Sequence, residues 1–158
     1  MNLANSLQQK LDSWSHSGDG VQSLAFLDES GVGVRLDFLH LERLSCEAYE
    51  LAVTRSAESM AKGLHLEGWA RRIADEATGL LEPLKLIEVD ALRGEALLRS
   101  DSPAQRADER FYYEVLLEGR GSAILRRYRS ATESRKREQV SFVVTREALG
   151  KLVEDLAR

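Results

Sequence analysis

The sequence predicts an α+β domain: an antiparallel sheet of about six strands packed with a long central helix and with helices at the N- and C-terminal ends. Three observations lead there. Apolar residues recur at helical spacing in three segments, near the beginning, the middle and the end of the chain. Between those segments apolar and polar residues alternate with period two, in runs bounded by glycine-containing turns. Strands and helices come in blocks and not in strict alternation, an order that suits an antiparallel sheet better than a doubly wound parallel one. At 158 residues the chain has the length of one ordinary domain. It shows no internal repeat and no linker, so residues 1–158 read as a single unit.

Taken in order, Leu3, Leu7, Leu11 and Trp14 line one face of an N-terminal helix, with Asn2 placed to cap it. A polar turn ending at Gly20 stops that helix. Val21–Leu27 and Val32–Phe38 then read as a hairpin around Asp28–Gly31. Residues 39–54 fit two patterns, read here as a short helical turn at Leu39–Arg43 followed by a strand through Ser45–Thr54. Leu66, Trp69, Ala70, Ile73, Ala77, Leu80, Leu81 and Leu84 form a wide apolar stripe, which predicts the principal helix, closed by Pro83.

Beyond the proline the period changes to two. Leu84–Ala91 and Ala96–Leu98 read as strands, followed by a polar loop over Arg99–Arg110. Phe111, Tyr113, Val115 and Leu117 occupy one side of the next strand, with Tyr112, Glu114 and Leu116 on the other. Gly119 and Gly121 permit a tight reversal into a strand over Ser122–Arg129. Val140, Phe142 and Val144 mark one more strand, and Thr145 caps a final helix with Leu149, Leu152, Val153 and Leu156 inward.

Composition narrows the function classes. With 43% hydrophobic and 30% charged residues, the chain has the make-up of a globular domain and not of a disordered one. No apolar run approaches the roughly 20 residues needed to cross a bilayer, and Met1–Trp14 lacks the apolar segment of an export signal, so a cytoplasmic protein without membrane contact is expected. His16, His40, His65 and the single Cys46 fall in no metal-ligand spacing. Cys46 has no cysteine-enzyme context, and Gly31-Val32-Gly33 is not continued as a dinucleotide loop. Glu88, Asp90, Glu95 and Asp101 crowd one region, but Glu88 and Asp90 share the solvent side of a strand, where alternation expects polar residues. No cofactor, metal or catalytic residue is therefore assigned, and a non-enzymatic protein is expected.

Charge is the most uneven feature. Gly119–Arg137 holds seven basic residues against Glu133 alone, a net +6, while residues 1–118 sum to −9 and residues 138–158 to −1, for a total of −4. Arg126, Arg127 and Arg129 surround Tyr128 on this basic hairpin, Arg120–Arg137, and could hold the phosphates of single-stranded nucleic acid. Alternation nevertheless splits them, with Arg127 and Arg129 on the side of Leu125 and Arg126 on the side of Ile124. Glu114 and Glu118 on the preceding strand offer cross-strand partners.

The leading expectation is a protein-binding or adaptor module that recruits a protein partner or a second copy of itself. Both sides of Phe111–Leu117 want burial, and three helices cover one side of a sheet. The order of elements resembles that of the secretion-chaperone class of small dimers by architecture alone, and the additional strands depart from it. Nucleic-acid binding through Arg126, Arg127 and Arg129 is the second reading, and a small-molecule enzyme built on the clustered carboxylates is the third.

Overall fold

Alternation and turn chemistry assemble the strands of the described residues into one antiparallel sheet. The computed structural model describes residues 2–15, 18–61, 65–131, 133 and 136–158, so His16 and Arg135 lie outside the described residues. Helix α1 (Leu3–Asp12) begins where Asn2 Oδ1 accepts the Asn5 amide at 2.8 Å, and it buries Leu3, Leu7 and Leu11. Strands β1 (Gln22–Leu27) and β2 (Gly33–Leu41) form the expected hairpin. Its turn is held by Asp28 Oδ1, which accepts from the amides of Ser30 and Val32, and by Gly31 at φ +90°.

The helical turn expected at Leu39–Arg43 is not formed. Strand β2 continues to Leu41, which pairs with Cys46 of β3 (Ser45–Thr54). Register shifts between Asp37 and His40 break the period of two, and that irregularity is what imitated helical spacing in the sequence.

A short α2 (Ala57–Ala61) precedes α3 (Leu66–Glu76). The long central helix expected to reach Pro83 stops at Ala77, so α3 with 11 residues is shorter than the C-terminal helix. Gly79 passes so close to that last helix that a Cβ there would stand 3.2 Å from the Ala148 carbonyl, and the chain has left helical geometry to make this contact. Leu81, assigned to the apolar stripe, is exposed instead.

The sheet has ten strands, not about six. After β4 (Leu84–Asp90) and β5 (Glu95–Ser100), the supposed polar loop contains a short β6 (Ala104–Arg106) paired to β7 (Glu109–Glu118). Strand β8 (Ser122–Ala131) returns from the glycine turn. The single strand expected around Val140–Val144 is two, β9 (Arg137–Val140) and β10 (Phe142–Thr145). Helix α4 (Arg146–Ala157) starts at Thr145, whose Oγ1 accepts the Ala148 amide at 3.0 Å.

Strand order is β1-β2-β3-β8-β7-β5-β4, with all pairs antiparallel. Strand β3 divides its pairing: Leu51–Thr54 face β8, while Ser45–Ala48 face β10. Strand β8 divides likewise, with Ser122–Leu125 on β3 and Arg127–Ser130 on β9. The two strands therefore diverge, and β9 and β10 fill the wedge on either side of Ser141.

Leu36, Phe38, Leu51, Val53, Leu98, Val115, Leu117 and Leu125 point to one face and join the apolar sides of α1, α3 and α4 in one cluster. Trp69 of α3 is buried there, and its indole N–H donates to the Leu156 carbonyl at 3.1 Å. Side chains of the opposite parity project from a face that no described helix covers. No helix among the described residues is long and apolar enough to cross a membrane.

Candidate functional site

Because β7, β8 and β9 run in register, the uncovered face is ordered in rows across the strands. Arg110, Ser130 and Arg137 are direct cross-strand neighbours, with the serine between two arginines. One step along the strands, two residues on, lie Tyr112, Tyr128 and Gln139. A third row carries Lys85, Arg99, Glu114 and Arg126, and continues to Glu50 and Asp37. A fourth is apolar: Leu97, Leu116, Ile124 and Ala52 stand opposite one another on β5, β7, β8 and β3, each half-buried.

Long side chains knit the rows together. Arg137 folds back over Tyr128, 3.8 Å from its ring centroid, and donates from Nη1 to Glu114 Oε2 at 2.6 Å. Arg99 reaches forward over Tyr112 at 5.2 Å and donates from Nη2 to the same Glu114 oxygen at 3.1 Å. Two guanidiniums thus share one carboxylate, leaving one positive charge unmatched. Burial works against the Arg137 charge, but hydrogen bonds to Glu114 and Tyr112 together with the Glu114 charge outweigh it and hold its pKa above the ordinary arginine value. At the other end, burial alone would raise the Glu50 carboxyl, yet hydrogen bonds from Arg35 and Arg126 outweigh it and keep it below the usual carboxylate range.

A cavity of about 650 Å³ opens at the end of this face. Tyr112 and Ser130 lie on its floor, with Arg99, Arg137, Arg110 and Lys85 around it. Lys85 stands 3.6 Å from Asp101, while Arg110 makes no ion pair among the described residues. Ser130 is 7% exposed, and its hydroxyl has no hydrogen-bond partner among them.

The three arginines singled out in the sequence are not brought onto one surface. Arg126 lies on the open face and is bound to Glu50. Arg127 turns to the helix side, where it pairs with Glu82 at 3.1 Å and lies over the Tyr113 ring at 4.2 Å. Arg129 is engaged by Glu138 at 2.5 Å and by Glu109 at 3.5 Å. Arg120 is exposed in the β7–β8 turn. Of the two acids expected to pair across the strands, Glu114 stands opposite Arg126, but its carboxylate goes to Arg99 and Arg137.

Other candidates have structural occupations. Cys46 is fully buried, and burial pushes its thiol up to about 12, which leaves almost no thiolate at neutral pH. His65 caps α3 by accepting the Gly68 amide at 3.1 Å. Asp90 caps the β4–β5 turn through the Arg93 amide. No group of metal-ligating side chains occurs among the described residues.

Searches of protein-family models, of curated proteins and of solved structures find no match to this chain. The likeness to secretion chaperones therefore rests on element order alone. Sequence reading passed over Arg110, Arg137 and Ser130 as a group because they are joined only by register. The available signal was parity: Ser130 has the same parity as Arg126 and Tyr128.

Proposed function

We propose that this chain is a non-enzymatic protein-binding module that associates with a second copy of itself through the uncovered face of the sheet. One observation carries the reading: Leu97, Leu116, Ile124 and Ala52 form a continuous half-buried stripe on a face that no described helix covers. Neighbouring strands lie about 4.8 Å apart and residues rise about 3.3 Å along a strand, so β2, β3, β8, β7, β5 and β4, of six to ten residues each, together cover on the order of 800 Å², the area each partner gives to a stable interface. Both signs of charge lie beside the stripe, with Asp37 and Glu50 at one end of the row, Arg99 and Lys85 at the other, and Arg126 and Glu114 between them. Such a row is self-complementary under a two-fold axis and imposes no net repulsion between copies.

The nucleic-acid reading has less support, because Arg126, Arg127 and Arg129 each already face a carboxylate and Arg127 is buried. Size-exclusion chromatography with light scattering tests the proposal. The chain of 17.7 kDa is expected to elute at twice that mass at micromolar concentration, and Leu116→Lys to elute as a monomer with an unchanged circular dichroism spectrum. A wild-type protein that stays monomeric across the accessible concentration range removes self-association from the account.

A further inference from the structure

We infer that the cavity at the β6–β9 end of the open face binds a phosphomonoester, its phosphate seated over Ser130 between Arg110 and Arg137. The inference stands on other residues than self-association does, since the apolar stripe crosses Leu116 and the cavity lies around Tyr112, four residues or roughly 13 Å further along the strand, although the open face and Arg99 are common to both.

Three observations converge on that position. Ser130 is more than nine-tenths buried on the cavity lining, and its hydroxyl has no partner among the described residues, although a buried donor is costly to leave unsatisfied. Register places an arginine on each side of it, Arg110 on β7 and Arg137 on β9, with the Arg137 guanidinium turned over Tyr128 to Glu114. Finally, the nearby charges do not cancel. Glu114 answers only one of Arg99 and Arg137, and Arg110 is unpaired among the described residues, which with Glu133 on the rim leaves one net positive charge around the cavity. A net positive charge favours an anion, and a phosphomonoester has three acceptor oxygens where a carboxylate has two, enough to meet the serine hydroxyl and both arginines at once. Lys85 is offset by Asp101, and Glu133 on the exposed rim is the lining charge that opposes an anion.

Size argues for more than free phosphate. A cavity of about 650 Å³ falls in the range of small-molecule sites and is far larger than one oxyanion. Ile87 and Pro103 border it, and Tyr112 forms part of its floor, giving apolar surface for the esterified group.

The test is an amide-resolved NMR titration at constant ionic strength, made up with chloride, using inorganic phosphate, phenyl phosphate and benzoate as probes on whichever oligomer the wild type forms. Saturable shifts at Ser130, Arg110 and Tyr112 are expected with both phosphates, with phenyl phosphate the tighter and benzoate weaker than either. Arg110→Ala should weaken phenyl phosphate about tenfold by removing a charge-assisted fork, while Arg120→Ala, in the distant turn, leaves it unchanged. Absence of saturable shifts, equal affinity for phenyl phosphate and inorganic phosphate, equal affinity for benzoate, or indifference to Arg110→Ala would each overturn the assignment. None of these outcomes bears on the light-scattering result for Leu116→Lys.

Discussion

Arg126 and Arg127 are consecutive residues of β8, yet they end on opposite faces of one sheet and meet different surroundings. Arg127 turns under the helices, where it and Glu82 are each more than nine-tenths buried. That carboxylate also accepts the Ser100 hydroxyl at 3.1 Å, and Ser100 Oγ in turn accepts the Tyr113 amide at 2.7 Å. Arg126 lies in the open and shares Glu50 with Arg35, in a row where each charge touches its neighbours and water. On the helix side the Arg127–Glu82 pair sits inside a closed network. The open face spreads many pairs over a surface where each contributes little. A charge of given sign therefore weighs on the stability of this fold according to the parity of its position.

The sharpest way to break the comparison is to remove Glu82. Glu82→Gln keeps the shape and strands the Arg127 charge in the core, which should cost about 3–5 kcal/mol in urea denaturation. Replacing both partners, as Glu82→Leu with Arg127→Met, should recover most of that loss, because paired apolar groups need no desolvation of charge. A loss below about 1 kcal/mol for Glu82→Gln would mean that water reaches the pair and that the two faces are electrostatically alike.

The same contrast holds for apolar neighbours. Leu125 is completely buried and Ile124, beside it, is half-exposed on the open face. Leu125→Ala should cost about 2–5 kcal/mol through lost burial and a residual cavity, against about 1 kcal/mol for Ile124→Ala. Equal losses would show the open face to be covered in solution. Measuring the pair at concentrations above and below any dimer transition separates a cover supplied by a second copy from one within the chain.

How much of this was legible in advance divides along the range of the interactions. The Asn2 and Thr145 caps, the Asp28 turn and the Gly119–Gly121 reversal depend on residues a few positions apart, and each is where sequence reading placed it. The end of α3 was not legible, because Gly79 leaves the helix to meet Ala148, a residue 69 positions away. Nor was the split of β9 from β10: both read as one apolar run, and what separates them is which neighbour each half finds, β8 or β3. The site suffers most from this. Parity put Arg126 on the correct face, but its partner Glu50 is 76 residues distant, and nothing local reveals that Glu114, the nearer acid, is already taken by Arg99 and Arg137. The cluster Arg110, Ser130 and Arg137 exists only through two registers at once.

The smallest effect expected on the open face is also the one with a defined pH signature. Arg35 and Arg126 hold the Glu50 carboxyl below its reference value of 4.5, whereas in the unfolded chain it titrates near that value. A depressed folded pKa stabilises the protein above the unfolded pKa, and the contribution disappears as the pH falls through the folded one. Glu50 should therefore contribute its full share at neutral pH and lose it progressively below about pH 4.5. Glu50→Gln is expected to lower stability at pH 7 by about 1 kcal/mol, since the pairs are partly exposed, and to match the wild type increasingly closely as acid is added. If the two proteins instead remain equally far apart at pH 3 and pH 7, the loss comes from packing and not from charge. The row of ion pairs would then be a consequence of the open face's geometry and not one of the forces that maintain it.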